Sequence, residues 1–151
     1  MKRIFYVLIC LAVLLSMGCN RNKEVSVPDL KVSTNGSEIL VSRGGYKWTN
    51  NTNLFKKETV VADSASPTQI ANTMSGNKVN PQSELSLNFS QKPDSVKVIP
   101  FGELKDNKFT YTNEKIIVPK EKGTYIYEIV GNWSQGDVSY IVKVIVTNEQ
   151  Y

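Results

Sequence analysis

Two apolar runs near the C-terminus constrain the fold more than any other part of the chain. Tyr125, Tyr127 and Ile129 recur at every second position, and so do Tyr140, Val142, Val144 and Val146. Successive residues of a strand point to opposite faces, so a period of two gathers each set on one side of a sheet. Ser134-Gln135-Gly136-Asp137 between the runs reads as a hairpin turn. The same period recurs in Leu30 and Val32, in Leu85, Leu87 and Phe89, and in Val96 and Val98. Shorter traces are Lys57 to Ala62, Phe109 with Tyr111, and Ile116 to Val118. Asn35-Gly36 is a second hairpin signal ahead of a strand from Glu38 to Ser42. Gly44-Gly45 is expected to break that strand, and Pro100 to stop another. Only Ser66-Pro67-Thr68-Gln69-Ile70-Ala71-Asn72 reads as a helix, with Ser66 and Gln69 at capping-box spacing and Pro67 at the first helical position. The expectation is an all-β sandwich or barrel of about seven to eight short strands with one short helix.

The start of the chain carries a different signal. Lys2 and Arg3 precede an apolar run from Ile4 to Leu15, followed by Ser16-Met17-Gly18-Cys19. A basic start, a short apolar core and a small residue before a cut make a secretory signal peptide. The run is well short of the ~20 residues that cross a bilayer. With a cysteine directly after the small residue, residues 1–19 resemble a bacterial lipoprotein signal with its lipobox, although Ser16 stands where that family usually has leucine. The resemblance implies cleavage before Cys19, diacylation of its sulfur, and a chain held on the extracytoplasmic face of the cell membrane. Ordinary secretion and an uncleaved anchor are the other readings. Residues 1–18 are then the signal peptide, 19–28 the lipidated cysteine and a polar tether, and 29–149 one domain.

Composition narrows the chemistry. Histidine is absent, and the two cysteines are Cys10 in the signal and Cys19 at the lipid site. No disulfide and no zinc–thiolate centre is therefore expected, and the commonest general base is missing. The net charge of +4 includes Lys2 and Arg3, and the other lysines are scattered, so no nucleic-acid partner is expected. Asp63, Glu84, Glu103 and Asp137 are dispersed, and Asn50-Asn51-Thr52-Asn53 lacks the carboxylates of a calcium loop. No catalytic residue, metal site or cofactor is expected.

Glu121-Lys122-Gly123-Thr124-Tyr125-Ile126-Tyr127 resembles the start of strand F in immunoglobulin-like domains, with Tyr127 where that family has a cysteine. The resemblance implies an immunoglobulin-like β-sandwich in which Gly123 turns the corner and the Tyr125 hydroxyl bonds back to the backbone. Arg43-Gly44-Gly45-Tyr46-Lys47-Trp48, with Asp63 and the later Gly123-Thr124-Tyr125-Ile126-Tyr127, resembles an uncharacterised extracytoplasmic module of Gram-positive bacteria. Arg43, Tyr46 and Trp48 are the candidate partner-binding residues, since aromatics and an arginine beside a double glycine suit a sugar or a protein surface. For Trp48 the favoured reading is a buried inter-sheet tryptophan, with Gly44-Gly45 forming a bulge or turn, and Trp133 is a second aromatic of this kind. The expected function is non-catalytic binding at the envelope, to an envelope protein or a wall polymer. An assembly role is the alternative, and a carboxylate-dependent hydrolase the third reading.

Overall fold

The computed structural model describes residues 26–53, 56–102, 109–112 and 114–148. The signal segment, Cys19 and Glu103 lie outside them. In chain order the elements are β1 (Leu30–Thr34), β2 (Ser37–Ile39), β3 (Val41–Asn53), β4 (Lys56–Ala62), α1 (Pro67–Thr73), β5 (Asn77–Val79), β6 (Glu84–Phe89), β7 (Ser95–Phe101), β8 (Thr110–Thr112), β9 (Lys115–Ile117), β10 (Gly123–Trp133) and β11 (Gly136–Val146). One sheet has the order β2-β1-β6-β9-β8. The other runs β4-β3-β11-β10-β7, with β5 parallel to the end of β11. Every other pairing is antiparallel. Among the described residues, eleven strands exceed the seven or eight expected: Asn77–Val79 carries no period, and one expected strand divides between β2 and β3.

β10 and β11 form the centre of the larger sheet, in unbroken register from Gly123↔Val146 to Trp133↔Gly136. Their alternating residues Tyr125, Tyr127, Ile129 and Trp133, with Val138, Tyr140, Val142, Val144 and Val146, fill the space between the sheets. Val32, Leu85, Leu87 and Ile116 meet them from the smaller sheet. The opposite face of β10 and β11 presents Ile126 and Ile141 to Ala71 and Met74 of the helical segment. That helix begins with the capping box of Ser66 and Gln69. It ends on Lys143, whose ammonium donates to the carbonyls of Ala71 (3.0 Å), which also accepts the Met74 N–H, and Met74 (2.9 Å).

Three sequence expectations are corrected. The strand expected over Glu38 to Ser42 divides at Leu40, with β2 in the smaller sheet and β3 in the larger one. Gly44-Gly45 does not end a strand, since β3 runs through it. β7 continues past Pro100 to Phe101 because it is an edge strand, where a missing N–H breaks no ladder bond. The Asn35-Gly36 turn holds, with both residues at positive φ (47° and 79°), as a tight two-residue hairpin requires.

Trp133 folds back over Gly131, two residues earlier on the same face. A Cβ on Gly131 would collide with the Trp133 ring. Gly131→Ala should therefore destabilise the fold by about 1–3 kcal/mol through overpacking, read as a lower denaturation midpoint at unchanged slope.

Burial holds the hydroxyls of Tyr127 and Tyr140 far above the ordinary value near 10. Tyr125 adds to the shift at Tyr127, and Arg43 opposes it at Tyr140. The folded state thus retains protons that the unfolded chain releases. The contribution is fully present below pH ~10 and is lost as the pH rises further. Denaturation midpoints measured from pH 8 to 12 should fall above pH 10. The Tyr127 hydroxyl has no hydrogen-bond partner among the described residues, so Tyr127→Phe should be neutral or stabilising and should soften the alkaline fall.

Candidate functional site

The geometry around Arg43, Tyr46 and Trp48 is set by a bulge. β3 pairs Tyr46 with Val138 and then Arg43 with Tyr140, so Gly44 and Gly45 stand against the single residue Ser139. An extra residue restores a strand's alternation after an odd step. Val41 and Tyr46, five positions apart, consequently both pack on the core. Glycine is required by close approach: a Cβ on Gly44 would lie 2.8 Å from Ser139 Oγ, which itself donates to Glu128 at 2.6 Å.

The bulge places all three candidates on the face of β3 that looks toward the other sheet. Trp48 is 3% exposed. Its ring meets Trp133 edge-on at 5.6 Å, and its indole N–H donates to Asn50 Oδ1 at 3.1 Å. Trp133 is buried too, donating to the Gln91 carbonyl at 3.1 Å, with Phe89 against its ring. Tyr46 is half-buried against the same core. Arg43 reaches the rim and pairs with Asp29.

That ion pair belongs to a clasp where the chain enters the domain. The Asp29 N–H donates to Ser90 Oγ and the Ser90 N–H donates to the Asp29 carbonyl, both at 2.8 Å. Tyr140, opposite Arg43, donates from its buried hydroxyl to the Pro28 carbonyl at 2.6 Å. Val27 and Pro28 are buried beside it. Residues 27–29 are thus tied to both sheets. Gly123 and Tyr125 sit at the start of β10, and the Tyr125 hydroxyl donates to the Glu121 carbonyl at 2.8 Å.

The carboxylates occupy separate elements. Asp63 is exposed after β4, Glu84 on β6 pairs with Lys115 at 2.6 Å, and Asp137 lies on β11 beside Lys47 of β3. No group of three potential metal ligands occurs among the described residues. A hollow of about 390 Å³ opens at the sheet switch, lined by Leu30, Glu38, Ile39, Leu40, Val41 and Asn77. Sequence reasoning passed over two exposed apolar side chains: Leu40 at the rim of that hollow and Val61 on β4, 50% and 60% exposed. The signal for Val61 was the doublet Val60-Val61, of which a period of two can bury only one member. No protein-family model, curated protein or solved structure matches the chain.

The clasp separates two energies. Arg43→Ala removes an exposed ion pair and should cost no more than about 1 kcal/mol. Tyr140→Phe leaves the Pro28 carbonyl without its buried donor and should cost about 1–3 kcal/mol. Chemical denaturation of both variants checks the order.

Proposed function

We propose that the chain is a lipid-anchored extracytoplasmic lipoprotein whose immunoglobulin-like β-sandwich serves as a non-catalytic interaction module at the cell envelope. The observation that carries this reading is the order of parts. Lys2-Arg3, the apolar run and Ser16-Met17-Gly18-Cys19 are followed by a short polar stretch, and the chain is then gripped at Val27 to Asp29. Such a grip transmits position from an anchor to a domain.

Two features support the immunoglobulin-like assignment. Strands β6-β9-β8 face β7-β10-β11, with β5 parallel to β11, the arrangement of strands B-E-D against C-F-G with an added parallel strand. The hydroxyl of Tyr125 bonds back four residues at the foot of β10, as in a tyrosine corner. On this reading β1–β2 and β3–β4 are hairpins added to the two sheets. A second reading, a structural component of an envelope complex, is favoured by the open outer edge of β4.

Expressed in a Gram-positive host, the full chain should partition with membranes, and its N-terminal peptide should carry two acyl chains on Cys19. Cys19→Ala should abolish the modification and the membrane partition. An unmodified Cys19 in the mature protein would remove the anchor from this account.

A further inference from the structure

The backbone of β4 states its own chemistry. The Thr49 N–H donates to the Gln135 carbonyl at 2.8 Å, so the polar groups of Thr49 face β11. Along a strand these groups alternate sides, so Trp48 and Asn50 face β4 and bond to Val60 and Glu58 across the ladder. Thr59, opposite Thr49, then belongs to a pair without backbone bonds. The 2.9 Å approach of the Thr49 and Thr59 hydroxyls agrees with that closer pair type. The N–H and C=O groups of Lys57, Thr59 and Val61 consequently point away from β3, where no further strand follows among the described residues. The three-residue edge strands β2, β5 and β8 are too short to offer such a row, and β7 carries Pro100.

Side chains on this edge indicate what covers it. Lys57, Thr59 and Val61 share one face, with Lys47 on β3 directly opposite Val61. All four are exposed, Val61 at 60%. On that face Lys47 stands opposite Asp137 of β11, whereas Lys57, at the outer edge, lies opposite the uncharged Asn51; Glu58 lies on the other face. A lysine on the edge opposes pairing between two copies, whereas a strand that sets a carboxylate opposite Lys57 gains an ion pair.

We infer that the outer edge of β4 is the interaction surface, and that it takes an extended acidic segment of a partner protein by strand addition. Its backbone pairs with Lys57, Thr59 and Val61, a carboxylate faces Lys57, and a β-branched residue covers Val61. This deepens the reading of the chain as an interaction module and names the site and partner chemistry.

The test is an amide-shift titration of the ¹⁵N-labelled full chain in detergent micelles. The probes are two capped heptapeptides of serine that carry glutamate, threonine and valine, or lysine, threonine and valine, at alternate positions on one face. The glutamate peptide should move the amides of Lys57, Thr59 and Val61 and bind at least tenfold tighter than the lysine peptide. Thr59→Pro removes an outward N–H without touching the backbone bonds to β3, at the loss of the Thr49 hydroxyl contact, and should abolish binding. Lys57→Glu leaves the backbone intact and should invert the preference between peptides, which keeps the test open if the proline variant unfolds. Equal binding of both peptides, shifts confined to another surface, or undiminished binding by a folded Thr59→Pro variant would overturn the inference. So would a dimer of the full chain that Thr59→Pro dissociates, since the edge would then belong to a second copy. The titration repeated on Cys19→Ala separates the two proposals: edge binding retained without lipid stands on its own, and lipidated chain without edge binding leaves only the anchored module.

Discussion

With no cysteine available beyond Cys19, the two sheets are held together by the side chains that β10 and β11 send between them. Eleven consecutive register pairs fix those strands against each other, and register decides which side chains face inward. The aromatic cluster at one end depends on it most. Trp133 lies between Trp48 and Phe89, and Phe89 also meets Tyr140, with ring centres 5.6–6.0 Å apart and planes at 70–75°. This edge-on arrangement places positive ring edges against negative faces. It needs Gly131 bare beneath the Trp133 ring and the β3 bulge to turn Trp48 inward.

The bulge links packing to the chain's point of entry. By restoring the alternation of β3, it sets Arg43 beside Tyr140 on the inward face, and the two side chains grip adjacent residues, Asp29 and Pro28. Arg43 and Trp48, which the sequence offers as neighbours in one binding loop, thereby take two different structural duties. Surface for a partner is left to the opposite face and the outer edge, where Lys47, Lys57, Thr59 and Val61 stand exposed.

Local signals were legible wherever the physics is local. Alternation located β10 and β11, the positive φ demanded at Asn35 and Gly36 located a hairpin, and the Ser66–Gln69 spacing located the helix start. Tyr125 was legible because its bond reaches back only four residues. Features set by distant partners were not. Nothing near Leu40 reveals that the chain changes sheets there, and nothing near Asn77 reveals a parallel partner in Val144. The grip of Arg43 on Asp29 and the openness of β4 depend on which strands end up beside them. Pro100 misled because its effect depends on whether a strand is central or at an edge.

The division at Leu40 has a consequence for the history of each molecule. A chain that emerges N-terminus first presents β1 to β4 early, yet β1 must wait for β6, and β3 for β11. β6 joins the β1–β2 hairpin midway, but the β3–β4 hairpin lacks its neighbour until β11 arrives. Contacts of such separation close slowly, and unpaired strands are exposed to wrong partners meanwhile. The larger sheet therefore cannot be completed until β11, the last of the described strands, slides in between β3 and β10. Residues 136–146 act as a closing key, and without them β3 and β4 would stay unsheltered.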